Sequence, residues 1–387
     1  MNILNIGPID SRSGFTNSIL NISKALAAQG HRVAVLSSLP LHMSGGIVPP
    51  QGVILIPGSR KYHWNPWYIT KEWIGLIKDK FGTPDIVNIH GLYVPFQTAL
   101  ARLFIKEGWI YIVSSRGSFA QYAQHKKFFK KWLGNKLFLK PFIANAMAIH
   151  ALCQNEAEDV RRFYPKAKII IAPNGVDVNI CSKNLGVLAE EETSKEELFE
   201  NKCLILGFIG RIDVYHKGLD ILLSAFKIIQ ETASIKIKLV LVGPFHSQGD
   251  EKKIRILIQS LKLPSSVILI GPKIGDEKYA LLSSFDIFIH TSRFEGLPNA
   301  VLEAMACAKP VIVTPGTNMK ELVIQSCGGW VCDCDPNSVA SAVLAAVRDK
   351  KEITRKGEAA RKFIFEHLTW DKVAFNYIQS IQAIQSR

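Results

Sequence analysis

The sequence predicts an α/β protein built from two doubly wound domains. Three observations carry this expectation. The chain has 387 residues, more than one core usually serves. Short β-branched runs alternate along it with longer stretches of helical periodicity. Most of those runs are apolar throughout, as strands are when helices cover both faces of a parallel sheet.

The first series of runs falls at residues 3–6, 33–37, 53–56, 86–89, 111–114, 148–152 and 168–172. The second falls at 204–209, 238–242, 267–270, 286–290 and 311–314. Between 183 and 202 the alternation lapses into an acidic stretch, which reads as a surface insertion beside the interdomain connection or as a short solvated helix. The expected domains are therefore 1–182 and 203–367, with a last helix in 368–387 returning to the first domain.

Bulk composition narrows the class. No apolar run reaches the length of about 20 residues needed to span a bilayer. The N-terminus lacks a basic start and a small-residue cleavage site, so a cytoplasmic protein is expected. Seven cysteines without a C-x-x-C pair read as reduced, buried thiols. The net charge of +14 points to an anionic partner: nucleic acid, membrane or a phosphorylated ligand.

Parallel sheets bind ligands beyond the carboxyl ends of their strands, where helix N-termini offer free N–H groups. Three strand-to-helix turns stand out. The first, from Gly7 to Gly14, is not G-x-G-x-x-G, and no acidic residue closes the run 33–37. Both absences argue against a dehydrogenase-type dinucleotide fold. Gly14 would let a phosphate approach the backbone, or it is a plain turn glycine. The second turn carries Gly210, Arg211, Lys217 and Gly218; a guanidinium fork and an ammonium before a helix suit a diphosphate. The third carries Glu295, Gly296, Leu297, Pro298, Asn299 and Glu303. Asn299 and Glu303 are spaced to share one helix face. Two carboxylates there suit sugar hydroxyls better than phosphate.

The block F-E-G-L-P-N-A-V-L-E-A-M-A with its Glu295-x7-Glu303 spacing, and G-R-I-D-V-Y-H-K-G-L-D around Arg211 and Lys217, resemble glycosyltransferase family 4. The blocks L-V-L-V-G-P, I-A-P-N-G-V-D and A-K-P-V-I-V-T follow the same resemblance over nearly the whole chain. It implies the GT-B fold, two Rossmann-like domains facing a central cleft, and sugar transfer with retained anomeric configuration. It implies that Arg211 and Lys217 hold the donor diphosphate, that Glu303 binds the ribose hydroxyls and that Glu295 lies by the transferred sugar. Gly296, Leu297 and Asn299 would flank the donor, Lys273 and Ile274 would border the base, and Gly14 would reach the phosphate. No metal or other cofactor is implied, since Arg211, Lys217 and the helix ends supply the positive charge; Asp333-Cys334-Asp335 is not expected to bind one. UDP- and GDP-sugars are the expected donors and a glycan or polyprenyl-linked hydroxyl the acceptor, in surface polysaccharide synthesis.

The chain departs from the family in two places. The first loop lacks the frequent double glycine, and Arg116 stands where many relatives place histidine. His90 and Arg116 are therefore candidates for lining the cleft. Between Glu107 and Glu156 no acidic residue occurs, while lysines and aromatics crowd 125–142. This segment suits a helix lying on an anionic membrane surface, or one packing its aromatics into the core. No nucleic-acid motif accompanies the charge. A sugar-nucleotide epimerase of the same fold and a non-catalytic, membrane-associated scaffold are the alternatives to a transferase.

Overall fold

The computed structural model describes residues 1–10, 14–40, 47–58, 71–120, 134–178 and 203–386. The acidic stretch 183–202 and residues 121–133 of the basic segment lie outside them. The chain divides into two compact units, Met1–Gly175 with Trp370–Arg387, and Val176–Thr369. The first unit thus closes at Gly175, before the anticipated position 182. The stretch 368–387 is shared, because Leu368 and Thr369 pair with Val176 in the second unit.

In the first unit the strands are β1 (Asn2–Gly7), β2 (Arg32–Pro40), β3 (Val53–Gly58), β4 (Ile86–His90), β5 (Tyr111–Ser114), β6 (Ala148–Ala151) and β7 (Ile169–Ile171). They form one parallel sheet in the order β3-β2-β1-β4-β5-β6-β7. The unbroken apolar runs are explained by burial on both faces. In β1, Ile3 enters a core with Leu26, Ile86 and the helix Trp370–Gln385, while Leu4 and Ile6 enter another with Ile89, Phe104 and Tyr111. The period of two along a strand makes that division.

The second unit repeats the plan with β8 (Leu204–Ile209), β9 (Ile237–Val242), β10 (Val267–Ile270), β11 (Ile287–His290), β12 (Val311–Val313) and β13 (Gly329–Val331). All pairs are parallel, in the order β10-β9-β8-β11-β12-β13. In each sheet the order reverses beside the first strand, between β1 and β4 and between β8 and β11. Ligands bind at such switch points.

Two sequence features resolve structurally. Asp335 of the D-x-D caps the helix Pro336–Val347, accepting from the Ser338 amide at 3.0 Å. Of the aromatics in and beside the basic segment, Phe119 and Phe142 are core residues, and Phe142 stacks on Tyr111 at 5.7 Å. Phe138 remains exposed beneath the Arg102 guanidinium. Among the described residues, the cysteines are free thiols and no helix is long and apolar enough to cross a membrane.

Candidate active site

At the switch point of the second unit, Gly210 follows β8 and His290 closes β11. The turn after β8 is built by close backbone approach. Gly243 has φ +144°, and a Cβ there would come within 2.0 Å of the Gly210 carbonyl oxygen. The turn ends at Gly218, which has φ +62° and precedes the helix Leu219–Thr232. A Cβ on Gly218 would meet the Thr291 carbonyl oxygen at 2.1 Å. Glycine is required there by both conformation and space. The Thr291 hydroxyl donates to the carbonyls of Lys217 and Gly218, both at 3.1 Å.

A second set of contacts stitches this turn to the loop after β11. The Arg293 guanidinium forms a two-pronged pair with Asp220, at 2.8 and 2.7 Å, and covers the Tyr215 ring. The Arg293 amide donates to the His216 carbonyl at 3.0 Å. The His216 ring stacks on Phe294 with centroids 4.0 Å apart and bonds the Phe294 carbonyl at 2.7 Å. From the other side, the Asn318 amide donates to the carbonyls of Glu295 and Gly296.

These contacts bring Lys217 against Glu295, and the Lys217 ammonium donates to Glu295 Oε1. The same oxygen accepts from the Ser292 hydroxyl at 2.8 Å and faces His290 Nε2 at 3.4 Å and His216 Nε2 at 3.8 Å. Burial alone would push the Glu295 carboxyl up; Lys217 and the His290 hydrogen bond outweigh it and hold it well below the usual carboxylate range. Burial pushes the His290 and His216 imidazoles down, so both are neutral near pH 7. The Lys217–Glu295 pair is the charged centre of the site.

The other predicted residues take separate places. Glu303 lies on the helix Asn299–Ala306, whose N-cap is Pro298. Its Oε1 accepts from Lys278 at 2.7 Å and from the Tyr279 hydroxyl at 3.3 Å. No hydrogen bond or ion pair links Glu303 to Lys217 or Glu295. Arg211 is exposed and makes no ion pair among the described residues. Lys217 and Glu295 thus form one direct pair, and neither Arg211 nor Glu303 is bonded to it. Leu297 is buried and Gly296 half-buried. Lys273 pairs with Glu277 at 3.4 Å, and Ile274, 76% exposed, precedes the helix Gly275–Ser284.

In the first unit Gly14 opens the helix Gly14–Ala28. His90 closes β4 and is buried, while Arg116 follows β5 with φ +49°. These two do meet, His90 Nδ1 accepting from the Arg116 guanidinium at 3.3 Å.

Reading the sequence alone missed Ser292, His290, His216, Lys278 and Arg293. Ser292 and Arg293 immediately precede the signature block and were legible there as neighbours of Glu295. Lys278 lies on a helix of ordinary composition, with no signal pairing it to Glu303.

Comparison with known proteins agrees with this architecture. The family model for glycosyl transferases group 1 matches residues 189–363, and that for glycosyltransferase family 4 matches residues 12–180. The chain belongs to glycosyltransferase family 4. An uncharacterized glycosyltransferase of Methanocaldococcus jannaschii is 26% identical over 211 residues, covering 53% of this chain and 52% of that protein. The capsular polysaccharide biosynthesis glycosyltransferase CapM of Staphylococcus aureus is 25% identical over 184 residues, 46% of each. The match thus spans about half the length of these curated relatives. The crystal structure of HepE from Anabaena in complex with UDP-glucose superposes with a TM-score of 0.74 at 17% identity, covering 100% of this chain and 99% of the other. The fold class is GT-B.

Proposed function

We propose that this family 4 protein transfers a sugar from a nucleotide-diphosphate donor to a hydroxyl of a glycan or lipid-linked acceptor, with retention of anomeric configuration. The Lys217–Glu295 pair at the switch point carries this reading. A diphosphate at the start of the helix Leu219–Thr232 would take the Lys217 ammonium in exchange for Glu295. Lys217, with the exposed Arg211, would then balance the charge that builds on the departing diphosphate. Glu295, released from Lys217, keeps Ser292 and His290 and offers its carboxylate to sugar hydroxyls.

Glu303 meets Lys278 and Tyr279 through Oε1, which leaves Oε2 as the acceptor for the ribose hydroxyls. Lys273 and the exposed Ile274 would border the base, and Gly296, Leu297 and Asn299 the diphosphate and sugar. The reading uses no metal, because side-chain cations and helix starts supply the positive charge. It casts no protein group as a covalent nucleophile. CapM, named for capsular polysaccharide biosynthesis, supports a surface-polysaccharide role. The HepE complex supports a UDP-sugar as donor. A cytoplasmic site of action, with the basic segment 125–142 against an anionic membrane, fits a lipid-linked acceptor.

The test is a thermal-unfolding screen against UDP, GDP and their sugars. One base should raise the unfolding temperature in wild type and much less in Lys217→Ala. Equal stabilisation of both proteins by every nucleotide would sink the diphosphate assignment.

A further inference from the structure

The switch point of the first unit holds a small cavity whose polar walls are Asn5, Asn88, His90, Arg116, His150 and Tyr377. Most of these side chains satisfy one another. Tyr377 donates to Asn88 Oδ1 at 2.8 Å, Asn88 donates to Asn5 Oδ1 at 3.0 Å, and Asn5 donates to Ser23 at 2.8 Å. His150 is bonded through both ring nitrogens, to the Ser114 hydroxyl and the Ala172 carbonyl, each at 2.8 Å.

Arg116 is the exception. Its guanidinium donates to Asn174 Oδ1 at 2.7 Å and to His90 Nδ1 at 3.3 Å, and lies 5.5 Å from the Phe15 ring centroid. All of these partners are neutral. Burial first, and Arg116 second, hold His90 well below its ordinary value and His150 down at about 3. Among the described residues the buried Nε of Arg116 has no partner, and Arg116 makes no ion pair. Glu156 acts on it only from a distance. The Glu156 oxygens are taken by the Gly117 amide, the Ser115 hydroxyl and the Leu152 amide.

A cation in such a place is costly unless something pairs with it. Arg116 also holds a left-handed backbone, which adds strain for a residue with a side chain. The hydrogen-bonded side chains around it fix the fork, and Glu156, bonded to the residues on either side, acts on its charge without forming an ion pair with it. We propose that the Arg116 pocket binds an oxyanion, the phosphate or carboxylate of a substrate, with Asn174 and His90 holding the guanidinium in place. The substrate attribution rests on the transferase reading above; the anion site itself does not.

The experiment compares wild type, Arg116→Gln and Arg116→Lys by thermal unfolding, with chloride replaced by phosphate at constant ionic strength. Saturating UDP keeps the Lys217 site filled. Phosphate should raise the unfolding temperature of wild type, raise that of Arg116→Lys less and leave Arg116→Gln unchanged. In chloride, Arg116→Gln should be at least as stable as wild type, since it removes a half-buried charge that makes no ion pair among the described residues. A phosphate response of equal size in wild type and Arg116→Gln, or none in wild type, overturns the proposal. The UDP response is read first. Its absence would overturn the transferase reading, while the comparison between wild type and Arg116→Gln would still decide the pocket.

A ligand pair then identifies the anion's carrier: wild type prefers glucose 6-phosphate over glucose about tenfold or more and Arg116→Gln does not. A preference retained in Arg116→Gln counts against the pocket.

Discussion

Lys217 and Glu295 stand 78 positions apart in the chain and meet as a nearly buried ion pair. Among the described residues, the donors to the Glu295 side chain converge on Oε1, from Lys217, Ser292 and His290. The carboxylate therefore sits where an oxygen of a bound diphosphate would take the same ammonium. The Arg293–Asp220 pair and the His216–Phe294 stack hold the two loops in register, so the pairing is built into the site's walls.

Removing Lys217 should separate chemistry from folding. In Lys217→Ala, kcat for transfer falls about 100- to 1000-fold, the scale of losing one preorganised group facing developing negative charge. The variant also leaves the Glu295 carboxylate without its cation, at a cost of about 3 kcal/mol in stability. Adding Glu295→Gln should return most of that stability and none of the activity. A Lys217→Ala enzyme with wild-type turnover would remove the ammonium from the mechanism.

Gly218→Ala should act through the backbone. A Cβ would press on the Thr291 carbonyl at a residue whose φ is +62°. The strain costs about 1–3 kcal/mol. Because the turn that carries Lys217 must move to relieve it, nucleotide affinity should fall as well. Chemical denaturation and nucleotide titration of this variant read the two effects; unchanged values in both would mean that the turn is not under this constraint.

The sheets were legible in the sequence because burial on both faces leaves no polar alternation to obscure them. Runs such as 204–209 and 238–242 became β8 and β9 with little change of boundary. The signature blocks located Lys217 and Glu295 for the same local reason, since each lies in a strand-to-helix turn. What the sequence concealed was pairing between turns. Lys278 to Glu303 and Arg293 to Asp220 depend on how successive β-α units stack, and neither leaves a periodic trace. Arg211 and Glu303 were singled out by the family resemblance as ligands of the diphosphate and of the ribose; in the structure Arg211 is exposed and Glu303 accepts from Lys278 and Tyr279.

Glu303 gives a prediction about the ribose. With Lys278 and Tyr279 both on Oε1, the other oxygen is the acceptor for a 2′- or 3′-hydroxyl. Wild type should bind UDP over 2′-deoxy-UDP about tenfold or more, as expected for a hydrogen bond to a charged group. Glu303→Ala should abolish that preference. Lys278→Met should weaken both nucleotides together, because an unbalanced carboxylate would then repel the diphosphate. Calorimetric titration of the two nucleotides separates these patterns, and a preference that persists in Glu303→Ala would assign the ribose to another group.

Four buried or half-buried histidines should weaken the fold in acid. Burial first, then the neighbouring Arg116 charge, pushes His150 down to about 3, and burial lowers His90, His216 and His290 as well. Their folded values lie below the unfolded value of about 6.5, so the unfolded chain takes up protons first. The stability they contribute is complete above pH 6.5 and is lost as pH falls below it. For His150 the loss continues toward pH 3, at about 1 kcal/mol per pH unit. Glu295, held low by Lys217, adds to it only below the ordinary carboxylate range. His150→Gln keeps polar groups facing Ser114 and the Ala172 carbonyl but takes up no proton. Its unfolding temperature should therefore fall less steeply than that of wild type between pH 6.5 and pH 4. Parallel curves for the two proteins would place the proton uptake outside this pocket.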